Sequence, residues 1–473
     1  MIVRNSIIYS TAAVVTKLGS FLLLPVWTAY LSPAEYGVIG TMSAYIAMCT
    51  PLLLLGIPNA AIRQYVDYID DEKNWGAYVG SNLIVLMLVS LPIYMLVVLF
   101  GEGAWSKMTS GDISFYPYVP LAGYIVILSM LLRYVQATMQ ARQKAHQEVM
   151  VTFTLFVLTS IIGLTAVIRF SVGPIGYFIG FAISATMVTI LLVLFIGKTW
   201  ITSSLSIDYA KKALKYGLPL VPLAISAWVM HFSDRILVES VTGLAQAGIY
   251  NVSSNGALIM LFIVMSTNKA WTPQYFLLMK NEVPGTKMAT VVSACVVLYS
   301  IMAIGLIVVG VPVLVKMLPL AYSGLVQLLP PIVLGYVMFG LYHLSVKPLL
   351  YLNQTGKMSL MMVVGAGMNI CLNLYYIPKY GAVAAAWTTL ASYSSMLVMA
   401  MIVTRGKHKV NYPFLKYVVM LLLVFLSLSF VNERLFEDLW SMIRVTGYVA
   451  GSAAIVGLLF WKTIYYQLYN EKI

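Results

Sequence analysis

Residues 79–101 read VGSNLIVLMLVSLPIYMLVVLFG, twenty-three positions without one charged side chain. The hydrocarbon core of a bilayer is about 30 Å thick, and a helix needs roughly 20 apolar residues to cross it. In that core each backbone N–H and C=O must find its partner within the chain, which a helix does unaided. The stretch therefore reads as a membrane-spanning helix. Working outward from it, comparable runs fall near 5–31, 38–66, 118–139, 148–169, 174–197, 216–239, 248–272, 289–312, 329–352, 358–378, 383–404, 414–432 and 442–461. With 79–101 they predict an all-α polytopic membrane protein of about 14 transmembrane helices.

The composition agrees. Of the 473 residues 61% are hydrophobic and only 10% are charged, against about 25% charged in soluble chains. That excludes a soluble enzyme, a disordered chain and a nucleic-acid binder with solvated domains. No connection between the runs is long enough to fold alone. The three cysteines, Cys49, Cys295 and Cys371, lie far apart in apolar runs, without disulfide or metal-ligand spacing. Only Arg4 precedes the first run, so that run reads as a retained helix and not a cleaved signal peptide.

The formal net charge is +13, from 29 Lys and Arg against 16 Asp and Glu. In a membrane protein such an excess first marks the cytoplasmic loops. With the N-terminus inside, 17 basic residues fall in cytoplasmic connections and 6 in external ones, which places both termini in the cytoplasm. Six remain within or at the edges of the apolar runs: Lys17, Arg63, Arg133, Arg235, Lys269 and Lys347.

The chain also resembles itself. Leu31-Ser32-Pro33-Ala34-Glu35-Tyr36-Gly37 joins runs one and two, and Leu244-Ala245-Gln246-Ala247-Gly248-Ile249-Tyr250 joins runs seven and eight about 213 residues later. Pro58 finds Pro273, and Gly173 and Ser184 find Gly381 and Ser392. Six crossings per half give both halves one orientation, a parallel repeat of the kind transporters use with the substrate site between the halves. The expected divisions are 1–200, 201–410 and a pair of added helices with a short tail, 411–473.

Charge at bilayer depth is costly, about 2.5–3.5 kcal/mol for a central Lys or Arg, and such residues face a wet interior or snorkel to an interface. Helical spacing sorts them into faces: Lys17 with Ser6, Ser10 and Ser20; Arg133 with Gln136 and Gln140; His231 with Asp234 and Arg235; Tyr336 and Gly340 with His343 and Lys347; Asn369 with Asn373; and Asn251 and Asn255 with Lys269 farther along. The substrate-cavity candidates are Lys17, Arg133, Arg235, Lys269, His343, Lys347, Asn369 and Asn373. His231 and Asp234 are candidates for ion coupling. Plainer readings stand beside these. Arg63, Lys269 and Lys347 can snorkel, Asp234 and Arg235 can form a structural ion pair, the histidines can be satisfied core residues, and the asparagines can bond helix to helix. A basic interior suits an anionic headgroup, above all a phosphate or diphosphate, with Lys as a point charge and Arg as a two-pronged clamp.

The motifs Tyr216-Gly217-Leu218-Pro219-Leu220-Val221-Pro222 with Asp234-Arg235, Asn369-Ile370-Cys371-Leu372-Asn373 with Ile377-Pro378-Lys379-Tyr380-Gly381, Leu31 to Gly37, and Leu55-Gly56 through Arg63 occur in a characteristic order. Over nearly its whole length the chain resembles the Wzx-type O-antigen and polysaccharide flippases. These belong to the superfamily that also holds the lipid II flippase and the multidrug and toxin extruders. The resemblance implies two six-helix lobes around a central cavity plus two C-terminal helices, in a bacterial inner membrane. It implies alternating access that carries an undecaprenyl-diphosphate-linked oligosaccharide of O-antigen, capsule or lipopolysaccharide type to the outer leaflet. The implied partners are that lipid, membrane lipids, a polysaccharide polymerase and a chain-length regulator, with coupling to a proton or sodium gradient, and no nucleic acid. Family members vary in their cavity charges, so the candidates above carry over by region. The alternative is an ion-coupled drug exporter of the same superfamily, which favours acidic cavity residues. A membrane enzyme would need a catalytic loop. The one acidic cluster, Asp67, Asp70, Asp71 and Glu72, sits in a short connection, and no metal motif, cofactor site or nucleophile arrangement is legible.

Overall fold

The computed structural model describes residues 2–109, 112–200, 206–281, 285–406, 414–430 and most of 447–459. The regular elements among them are all helical, and eleven helices are long and apolar enough to cross a membrane. The expected run 442–461 lies largely outside the described residues, as do the tail 460–473 and the side chains of Ser6, Ser10 and Lys198.

The chain divides into two compact units, Met1–Gly248 and Ile249–Ile473. The first holds α1 (Ile2–Tyr30), α2 (Pro33–Leu54), α3 (Ile57–Gln64), α4 (Glu72–Phe100), α5 (Glu102–Met108), α6 (Tyr118–Ala141), α7 (Ala145–Phe170), α8 (Ile175–Trp200), α9 (Ile207–Gly217), α10 (Val221–Trp228) and α11 (Asp234–Thr242). Helix α12 (Leu244–Lys280) begins in the first unit and continues in the second. There it is followed by α13 (Gly285–Gly305), α14 (Val311–Met317), α15 (Leu325–Ser345), α16 (Lys347–Tyr351), α17 (Thr355–Tyr380), α18 (Ala382–Thr404) and α19 (Phe414–Leu426). The repeat halves, divided near residue 200, are thus a different partition from the compact units.

Two runs expected as single helices are composite. The run 38–66 breaks at Leu55 and Gly56, whose φ values of 52° and 70° are left-handed, a conformation glycine adopts at little cost. The run 216–239 is assembled from α9, a 3₁₀ turn at Leu218–Leu220, α10, a π turn at Val229–Ser233 and α11. The polar stretch 198–215, expected as a connection, is helical from Ile207. There the Ser206 hydroxyl accepts from the Asp208 N–H at 3.2 Å, as an N-cap does. Ala210, Ala213 and Gly217 are buried while Lys211, Lys212 and Lys215 face outward. Tyr209 lies against the rings of Tyr68 and Tyr78, 6.0 and 5.9 Å between centroids, and its hydroxyl donates to Asn74 Oδ1 at 3.1 Å. This aromatic seat on α4 and the preceding turn packs α9 into the first unit.

Helix α2 is started by a reciprocal capping box. The Ser32 hydroxyl receives the Glu35 N–H, and the Glu35 carboxylate receives the Ser32 N–H at 2.8 Å. Four residues in, Gly37 meets the first turn of α12. A methyl group at Gly37 would land on the Leu244 carbonyl oxygen, and one at Gly248 on the Pro33 carbonyl oxygen. The contact is reciprocal. Pro33 and Leu244 each open a helix, Gly37 and Gly248 each follow four residues later, and both pairs are 211 residues apart. At the other end of α2 a methyl on Gly56 would strike the Gly217 backbone, and one on Gly217 the Leu55 carbonyl oxygen. Between these points Trp228 Nε1 donates to the Ala44 carbonyl at 2.9 Å.

The parallel repeat is visible in local geometry. At the α6–α7 turn Gln143 is left-handed, and N–H bonds run from Lys144 to the Met139 carbonyl and from Gln143 to the Gln140 carbonyl, both at 2.9 Å. At the α16–α17 turn, 210 residues later, Asn353 is left-handed and the bonds run from Gln354 to Leu349 at 2.7 Å and from Asn353 to Leu350 at 3.2 Å. The register at the first connection is 211 rather than the 213 expected, so Gly248, not Tyr250, answers Gly37.

Gly37→Ala and Gly248→Ala force backbone apart and lower stability by about 1–3 kcal/mol each. Gly367→Ala, with open space around its Cα in α17, costs nothing and gains helix propensity. Thermal melting of the purified protein in detergent separates the two classes.

Candidate functional site

In the first unit the cationic candidates come from two elements that the fold brings together. Arg235, in the first turn of α11, is 7% exposed, and its guanidinium lies 5.1 Å from the Phe232 ring centroid. Lys17 on α1 is exposed and within electrostatic reach of Arg235, as are His231 and Tyr177. Lys17 and Arg235 repel each other, and a cation stacked on an aromatic face keeps its charge available to an anion.

The local backbone helps. His231 lies in the π turn, where one extra residue per turn re-aims the side chains that follow, a feature frequent at functional sites. Asp234 and Arg235 come directly after it and are both buried. Arg133 is exposed on α6 between buried Leu132 and Tyr134, and Gln136 one turn on donates to Thr152 Oγ1 at 3.0 Å. Glu239 is 0% exposed and within electrostatic reach of Tyr45. No expectation named it, although it stands one helical turn beyond Arg235.

The acidic cluster is structural. Asp71 caps α4, accepting the Asn74 N–H at 3.0 Å, and that bond holds its carboxyl below the usual range. Glu72 accepts from Arg142 at 2.6 Å, tying the start of α4 to the end of α6. Asp67 is 4.0 Å from Arg63 on an exposed face.

In the second unit the candidates separate. Lys269 is exposed on α12. His343 is half-buried and set edge-on to Phe339 and Tyr342, 4.4 and 5.4 Å between ring centroids. Lys347 is 3% exposed, and its Nζ donates to Asn268 Oδ1 and, at 2.6 Å, to Thr272 Oγ1. Neither partner was named from sequence. Asn369 and Asn373 are fully buried. Asn373 donates to Asn369 Oδ1 at 3.1 Å, Thr388 donates to Asn373 Oδ1, and Asn369 donates to Thr389 Oγ1 at 3.4 Å. The plainer reading of this pair, that it bonds α17 to α18, is present in the geometry. Among the described residues no cluster of His, Cys, Asp and Glu could hold a metal ion.

A family model described as polysaccharide biosynthesis protein matches residues 2–279, more than half of the chain. No curated protein matches by sequence. Among solved structures, the lipid II flippase MurJ in an inward closed conformation superposes with a TM-score of 0.77 at 14% identity, covering 97% of this chain and 100% of its own. An inward-facing multidrug resistance MATE family transporter of the MOP superfamily follows at 0.63 and 11% identity, covering 86% and 98%. A MOP superfamily transporter from Pyrococcus furiosus follows at 0.55 and 13% identity, covering 94% and 96%. At these identities the likeness shows the fold, which is that of the MOP transporters.

The asparagine network makes a stability prediction. Asn373→Leu strands two buried partners, at about 1–3 kcal/mol, while Cys371→Ala on the exposed side of the same helix is neutral. Melting curves of the two variants check it.

Proposed function

The chain belongs to the polysaccharide biosynthesis protein family, and we propose that it is a flippase for an undecaprenyl-diphosphate-linked oligosaccharide. In this reading it carries the repeat unit of an O-antigen, capsule or related polysaccharide from the cytoplasmic to the outer leaflet of a bacterial inner membrane. It does so by alternating access, with both termini cytoplasmic and with residues 1–200 and 201–410 as the moving halves.

The observation that carries the proposal is the shortage of counter-charge. Lys17 stands within reach of Arg235, cation against cation. From residue 249 to 431 the sequence holds eleven Lys and Arg and one carboxylate, Glu282, which lies outside the described residues. Like charges held together in a poorly screened interior repel, and a ligand with two adjacent phosphates relieves that repulsion. Lys17 serves as a mobile point charge. Arg235, fixed against Phe232, supplies two parallel N–H donors to one phosphate. Arg133 and Lys269 are the further cations exposed enough to meet the cargo. The sugars cross in water while the prenyl chain stays in lipid, so the transporter handles only the headgroup. An exporter of organic cations would instead present exposed carboxylates, whereas Asp234 and Glu239 are both buried.

Lys17→Ala and Arg235→Ala abolish surface polysaccharide in cells that depend on this protein, at matched membrane levels. Arg235→Lys keeps the charge without the two-pronged geometry and leaves a reduced amount. Normal polysaccharide from both alanine variants overturns the assignment.

A further inference from the structure

Lys347 is a buried cation with no carboxylate beside it. Helix α15 ends at Ser345, and Lys347 opens the separate short helix α16. Asn268 is 24 residues along α12 from Leu244, about 36 Å at 1.5 Å per residue. The apolar core is about 30 Å thick, so the cluster lies at the membrane boundary, shielded by protein. Among the described residues Nζ donates to two oxygens, Asn268 Oδ1 and Thr272 Oγ1, and the Thr272 hydroxyl is itself oriented by donating to the Asn268 carbonyl at 2.7 Å.

The other ionisable groups on the elements here are Lys269 and Tyr275 on α12, His343 on α15, Tyr351 on α16 and Lys357 on α17. None is a carboxylate. An ammonium has three N–H donors, and a neutral amine has two plus a lone pair. Two neutral oxygens are what a neutral amine can fill, so losing the proton breaks neither bond.

We propose that Lys347 is a proton-exchange site: its amine releases a proton when α16 docks on α12 and takes one up when α16 moves away. Burial pushes the docked ammonium down to about 8, against about 10.4 for a free lysine. The docked form therefore binds fewer protons. It gains stability as pH rises from about 8 toward 10.4, and below 8 both forms are protonated and the dependence disappears. The inference does not rest on the cargo, since it concerns a proton and one helix junction.

The test is thermal unfolding of the full-length protein in detergent between pH 7 and 10, for wild type, Lys347→Met and Lys357→Met, the last an exposed lysine. The expected result is a wild-type advantage over Lys347→Met that is flat below pH 8 and then grows by up to about 100-fold in the unfolding equilibrium, while Lys357→Met tracks wild type. A constant gap across the range overturns the proposal. If Lys347→Met does not fold, competitive acetylation of the wild-type protein with acetic anhydride reads the same group. Half-reactivity of Lys347 near pH 8 supports the site, and half-reactivity near 10.4 overturns it.

Discussion

Positive charge without a counter-charge, held where water is scarce, is the constraint on which the rest of this structure depends. A lone ion in a low-dielectric interior is costly. The protein meets that cost in three different ways. Arg142 takes a carboxylate partner at 2.6 Å. Lys347 takes two neutral oxygens at the edge of the membrane. Lys17 and Arg235 take neither solution with each other, since they only repel. In the proposed mechanism the cargo diphosphate supplies what they lack.

The backbone arrangement serves those side chains. Glycines let α2 touch its neighbours main chain to main chain at both ends, at Gly37 with Gly248 and at Gly56 with Gly217. With α2 so held, the composite α9–α11 is positioned along it, and the π turn then aims His231 and Arg235. A methyl group at either crossing would move the whole composite.

Much of this was legible in the sequence. Uncharged runs longer than a bilayer is thick can be little else than spans, so α4, α7, α17 and α18 lie close to where they were expected. The resemblance to polysaccharide flippases agrees with the family that the chain belongs to, and the repeat reappears in the matched turns at Gln143 and Asn353. Other features depend on tertiary partners that periodicity does not carry. The left-handed pair Leu55–Gly56 is stable because Gly217 lies against it. The helix at 207–217 forms because Tyr209 finds Tyr68 and Tyr78. Lys347 looked like a snorkelling or cavity residue until Asn268 and Thr272, some eighty residues earlier in the chain, came to face it. Asn369 and Asn373 were read both as cavity and as helix glue, and their bonds to each other and to Thr388 and Thr389 answer the second description.

The most direct test of the central claim is to follow an undecaprenyl-diphosphate-linked oligosaccharide across vesicles that contain the purified protein, using a lectin or glycosidase that reaches only the outer leaflet. The account predicts that the saccharide reaches that leaflet faster than in protein-free vesicles, with the excess lost when Lys17 and Arg235 are both replaced by alanine. It is contradicted if the wild-type protein leaves the lipid-linked saccharide in its starting leaflet while moving an organic cation.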